Sequence, residues 1–104
     1  MTEYEIEITR PAELDLYDIF TYIAETLKEP QTARRIYASI KKEIATLSTM
    51  PERFQIVTEQ PYATMGVRRL YVENYVAFYV PNKERGIVSI LRVLYNRREW
   101  QQIL

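Results

Sequence analysis

The chain has no cysteine and no histidine among its 104 residues. Without cysteine there is no disulfide framework, no thiol nucleophile and no thiolate metal site. Without histidine, the Ser-His-Asp and Cys-His arrangements, histidine-ligated zinc and the usual proton shuttle are all excluded. Two glycines are too few for a phosphate-cradling glycine loop. Asp15 and Asp18 are the only aspartates and lie together on one predicted helix, which argues against a two-metal carboxylate centre. No metal and no cofactor are expected. No apolar run approaches the roughly 20 residues that span a bilayer. The start, Met-Thr-Glu-Tyr-Glu-Ile-Glu, lacks the basic and apolar regions of a signal peptide. A soluble cytoplasmic protein without a membrane partner is expected, and the length predicts one domain over residues 1–104.

Charge is present in equal amounts of both signs but is unevenly placed. Residues 1–52 carry 6 Lys/Arg against 10 Asp/Glu, and residues 53–104 carry 8 against 4. The halves therefore differ in sign, −4 and +4. A basic C-terminal half either faces an anionic partner or pairs with the acidic half.

Residues 3–9 alternate strictly, with Tyr4, Ile6 and Ile8 on one face and Glu3, Glu5 and Glu7 on the other, which predicts a half-buried strand. Pro11 suits the first turn of a helix, and Leu16, Ile19, Phe20, Ile23 and Leu27 follow helical spacing. Pro30 ends that helix. A second helix starts near Gln31-Thr32, with Ala33, Ile36, Tyr37, Ile40, Ile44 and Leu47 as its apolar stripe, and closes at Met50-Pro51. The short connection predicts an antiparallel helical hairpin. Residues 51–66, with Pro51, Pro61 and Gly66 and no clear period, read as a long loop. Strands are predicted over Val67–Val72, Tyr75–Val80 and Ile87–Leu94, the last apolar enough to be buried on both faces. The tail, Asn96–Leu104, reads as a short helix. The fold class is α+β: an N-terminal strand, an antiparallel helical hairpin, a three-strand antiparallel meander and a short C-terminal helix or tail.

Chemistry is concentrated in the arginines of the second half. Arg68 and Arg69 are adjacent strand positions and point to opposite faces. Arg92 lies in the last strand, and Arg97 and Arg98 follow it. Some of them are expected to converge on one rim, where forked guanidinium groups hold phosphate or carboxylate. Tyr95, beside that pair, is a candidate for base stacking or proton transfer. Tyr4, Tyr37 and Tyr79 read as core or half-core residues. Trp100, the sole tryptophan, is either the pin of the tail or an interface anchor.

Taken in order, several segments carry a resemblance. They are Ala12-Glu13-Leu14-Asp15-Leu16 with Tyr22-Ile23-Ala24-Glu25, Met50-Pro51-Glu52-Arg53, and Gly66-Val67-Arg68-Arg69-Leu70. Asn74-Tyr75-Val76-Ala77-Phe78-Tyr79, Ile90-Leu91-Arg92-Val93-Leu94-Tyr95 and Arg97-Arg98-Glu99-Trp100 complete the set. The chain resembles the RelE/ParE superfamily of toxins from bacterial type II toxin–antitoxin modules. The resemblance implies a growth-arresting, plasmid-stabilising toxin held inactive by a cognate antitoxin in a hetero-oligomer. It implies one of two targets. ParE-like members inhibit DNA gyrase without being nucleases, and RelE-like members cut mRNA on the ribosome without a metal. No arginine follows the hairpin turn at Tyr75-Val76, which favours the ParE-like branch. In the RelE-like branch Arg68, Arg69, Tyr95, Arg97 and Arg98 are the catalytic candidates. Arg92, Arg97, Arg98 and Trp100 are the expected contacts to target or antitoxin. The groove between the helical hairpin and the sheet is the expected antitoxin seat, with the basic half drawing in an acidic segment. A third reading is a binding module without toxicity.

Overall fold

The computed structural model describes residues 3–96 and 99–104. Strand β1, Glu5–Ile8, leads into helix α1, Arg10–Thr21. Thr9 forms the junction. Its hydroxyl donates to the Ile90 carbonyl at 2.7 Å and accepts the Ala12 N–H at 3.5 Å, so one side chain caps the helix and ties it to the sheet. Pro11 occupies the first turn, where its missing N–H leaves no bond unmade.

The helix then widens into a π-type turn over Tyr22–Thr26, closed by the Leu27 N–H on the Tyr22 carbonyl at 3.0 Å. Lys28 takes a left-handed φ of 58°, which reverses the chain, and Pro30 begins helix α2, Pro30–Ala45. The hairpin expected from the spacing is present. Ala12, Leu16 and Ile23 of the first arm and Ala33, Ile40 and Ile44 of the second are buried. Two predicted members of the apolar stripes are not core: Leu27, just past the π-type turn, and Tyr37, which meets Phe20 edge to face, are exposed.

The sheet has four strands in the order β1-β4-β3-β2. Strands β2, Arg68–Val72, and β3, Tyr75–Asn82, are antiparallel, as are β3 and β4, Ile87–Tyr95. Strand β1 pairs with β4 in parallel. The meander is therefore as predicted, and β4 is central along the part that β1 covers. β1 reaches only from the partner of Ile87 to that of Ile90. Next to that point β4 carries a bulge: Phe78 opposes Arg92 while Tyr79 opposes Ile90, so Leu91 is extra.

The alternation along β3 sorts two cores. Ala77 and Tyr79 face the helices and pack with Leu16, Ile40, Ile44 and Ile90. Val76 and Phe78 face the other way and pack with Val57, Val67, Leu94 and Trp100. The second face is thus covered by the segment 56–67 and by the C-terminal tail. The whole stretch 51–66, predicted as a loop, is more ordered than that. It holds a 3-10 turn at Pro51–Arg53, a helical turn at Tyr62–Met65 and a bridge from Ile56 to Arg68. The tail forms a 3-10 turn at Trp100–Gln102. Among the described residues no helix is long and apolar enough to cross a membrane.

Candidate functional site

Past Ile90, β4 stays paired with β3, but along its other edge no strand continues from β1 among the described residues, and a side chain from α1 takes that place. Asp15 lies on the buried face of α1, one turn from Ala12 and Ile19. Its carboxylate accepts the Val93 N–H at 2.9 Å, where a strand neighbour would otherwise bond. It also accepts two bonds from Arg92, from Nε and from Nη2, each at 2.7 Å. By its register opposite Phe78, Arg92 starts on the tail side of the sheet and reaches round the uncovered edge. Its third nitrogen, Nη1, donates to the Ile103 carbonyl at 3.3 Å. The hydrogen bond to Asp15 raises the Arg92 pKa further, so the guanidinium stays charged at any working pH. One bidentate pair therefore joins helix, strand and tail.

Beside this pair opens a cavity of about 760 Å³ between the hairpin and the far end of the sheet. Ile19, Ile23, Ile36 and Val93 give it an apolar lining. Tyr22, Tyr75 and Tyr95 add three phenol groups, with the Tyr75 and Tyr95 rings edge to face at 5.7 Å. Burial first, then the neighbouring Tyr95, Tyr22 and Glu73, push the Tyr75 hydroxyl above its ordinary value, so it remains a protonated donor. Among the described residues, the charged ones in the lining are Asp15, Asp18 and Glu29, and no lysine or arginine lines the cavity. The expected acidic segment would meet a described lining of its own sign. Of the arginines in the basic half, Arg68, Arg69 and Arg92 are directed elsewhere.

Arg68 faces the hairpin side, opposite Tyr79, and its Nη1 donates to the Glu52 and Phe54 carbonyls at 2.9 and 2.5 Å. It braces the turn after α2. Arg53, which sequence reasoning did not single out, does the same from within that turn, donating to the Thr46, Thr49 and Met50 carbonyls. Arg69 lies on the other face, 3.3 Å from Glu59 and 5.5 Å above the Trp100 ring. Tyr95 stands at the opposite end of the sheet from Arg68. Their partners on β3, Tyr75 and Tyr79, are four positions apart, about 13 Å along the strand. Arg68 and Arg69 lie on opposite faces, as expected, and of the arginines of which some were expected to share a rim, the described ones, Arg68, Arg69 and Arg92, have different partners. Arg97 and Arg98 lie outside the described residues.

The expected contact residues Arg92 and Trp100 are both engaged inside the fold. Trp100 is buried, stacks on Phe78 at 4.7 Å and lies 5.2 Å from Tyr62. It is the pin of the tail rather than an exposed anchor. The Tyr62 hydroxyl, donating to the Gln101 carbonyl at 2.8 Å, holds the same tail. The Asp15–Arg92 pair was the residue set that sequence reasoning missed. A signal was available: an acid inside the apolar stripe of a helix and an arginine inside an apolar strand each call for a partner.

Comparisons with known proteins place this architecture. No curated protein matches the chain. Among solved structures, a chain from the chromosomal ParDE toxin–antitoxin system of P. aeruginosa is 22% identical with a TM-score of 0.73, covering 89% of this chain and 96% of its own. The toxin–antitoxin complex RelBE2 from Mycobacterium tuberculosis contributes a chain 26% identical with a TM-score of 0.66, covering 91% and 93%. A mutant of the E. coli toxin RelE in the free state is 13% identical with a TM-score of 0.65, covering 99% and 100%, a likeness of fold. Residues 6–100 match the family described as the ParE toxin of the type II toxin–antitoxin system parDE, and this chain belongs to that family.

Proposed function

We propose that the chain arrests growth by binding DNA gyrase and that a cognate antitoxin neutralises it. The observation that carries the reading is the match of residues 6–100 to the ParE toxin family. The geometry supports it. Arg68, one of the arginines that a ribonuclease centre would draw on, has its Nη1 committed to the Glu52 and Phe54 carbonyls. Stabilising a phosphorane needs donors aimed at one point, and Arg68, Arg69 and Tyr95 are spread over both faces and both ends of the sheet. Antitoxin partnership is supported by the ParDE and RelBE2 relatives, which come from toxin–antitoxin assemblies.

The test is a supercoiling assay with purified gyrase and the purified chain, paired with induction of the chain alone in cells. Inhibited supercoiling and a DNA-damage response with intact transcripts are expected. A RelE-like ribonuclease is the second reading, favoured by the 26% identity to the RelBE2 chain. It predicts new RNA 5′ ends inside reading frames, in phase with codons. Unaltered growth after induction would instead make the chain a binding module without toxicity.

A further inference from the structure

We infer that the cavity beside the uncovered stretch of β4 is a docking site for a partner segment that carries an arginine or lysine flanked by apolar side chains. The inference deepens the antitoxin reading above and rests on it, by naming the chemistry of the segment that the toxin binds.

Three features of the site converge on that occupant. The volume of about 760 Å³ suits several side chains of a peptide rather than one water cluster, and its floor of isoleucine and valine requires apolar groups to displace water. The charge is of one sign. Asp15 is neutralised by Arg92, whereas Asp18 and Glu29 have no cationic side chain within ion-pair distance among the described residues. Lys28 sits between Leu27 and Glu29 in sequence, yet the left-handed turn there leaves it outside the lining. The third feature is aromatic. Tyr22, Tyr75 and Tyr95 offer ring faces and phenol oxygens around the same space, and both attract a cation. Among the described lining residues an acidic segment would meet two carboxylates and no counter-charge.

The strand edge adds a way to hold backbone. Val93 turns its N–H outward to Asp15, and by alternation the Val93 carbonyl and the Tyr95 amide group face the same side. A segment entering the cavity passes the edge of β4 away from β3, which no described strand covers past Ile90. Backbone bonds there give affinity, and the cavity gives the side-chain preference.

The test is selection of random dodecapeptides displayed on phage against the purified full chain, followed by titration of the enriched peptides. A parallel titration uses the Asp18→Asn, Glu29→Gln double variant, in which both residues are exposed and nearly isosteric, with circular dichroism as the check on folding. Enriched sequences should carry Arg or Lys between apolar residues. Their affinity for the double variant should fall about tenfold, and it should fall with added salt for the native chain only. Enrichment of acidic sequences, no enrichment, or equal binding to both chains would overturn the inference. Peptide binding needs no gyrase and no growth arrest. Failure of the supercoiling assay therefore leaves this result readable, and the reverse also holds.

Discussion

The two halves of β4 are sealed in different ways. Over Ile87–Ile90 the strand is flanked by β1 and the edge is closed by a parallel backbone ladder. Over the stretch that follows, to Tyr95, the flank holds one carboxylate, Asp15, on the Val93 N–H and on Arg92. A ladder shares its bonds over many residues, so no single side chain matters much. A side-chain seal concentrates the same task in one residue and leaves room beside it. The cavity exists at the second stretch because β1 stops and the chain turns into α1.

Asp15→Ala should have the largest effect. It strands the Val93 N–H and leaves a partly buried guanidinium without its partner, a change of about 3 kcal/mol. Urea denaturation measures it, and a loss under about 1 kcal/mol would break the contrast.

The second test sits at the junction of the two stretches, where Tyr79 opposes Ile90 beside the bulge. Its buried hydroxyl donates to the Pro51 carbonyl at 2.6 Å. Burial pushes its pKa up to about 12, opposed by Arg68 and Arg53. The unfolded group titrates near 10, so its contribution is fully present below pH 10 and is lost as pH rises towards 12. The loss amounts to roughly 2 to 3 kcal/mol. Stability measured from pH 9 to 12 should fall more steeply for the native chain than for Tyr79→Phe, and parallel curves would refute the assignment.

The smallest effect belongs to the ladder-sealed stretch. Glu7 accepts a bond from the Ser89 hydroxyl at 2.9 Å on the exposed face. Glu7→Ala should cost about 0.5 kcal/mol or less by the same denaturation measurement. A cost as large as that of Asp15→Ala would erase the distinction between the two seals.

Much of this fold was legible in the chain. The period of two in β1, the alternation of β3 and the 3.6-residue stripes of the two helices, Leu27 and Tyr37 apart, matched the faces they bury. These patterns are local, fixed by side-chain direction within a few residues. The segment 51–66 was harder, because Val57 reaches the second core from a stretch with no period at all. The candidate site was less legible still. Asp15 and Arg92 are 77 positions apart, and nothing local chooses Arg92 over Arg68 or Arg69 as the partner. The bulge at Leu91 changes which face the following residues present, so counting along β4 from Ile87 misplaces Arg92.

By itself the sequence determined the element types, the hairpin and meander, the absence of histidine and cysteine chemistry and the superfamily likeness. Tertiary structure alone decided where the charge acts. A sum along the chain describes the C-terminal half as basic, but a cavity responds to the few charges within a Debye length of about 8–10 Å. Folding turns Arg68 and Arg69 away and locks Arg92 onto Asp15. Among the described residues, Asp18 and Glu29 then line the groove with negative charge.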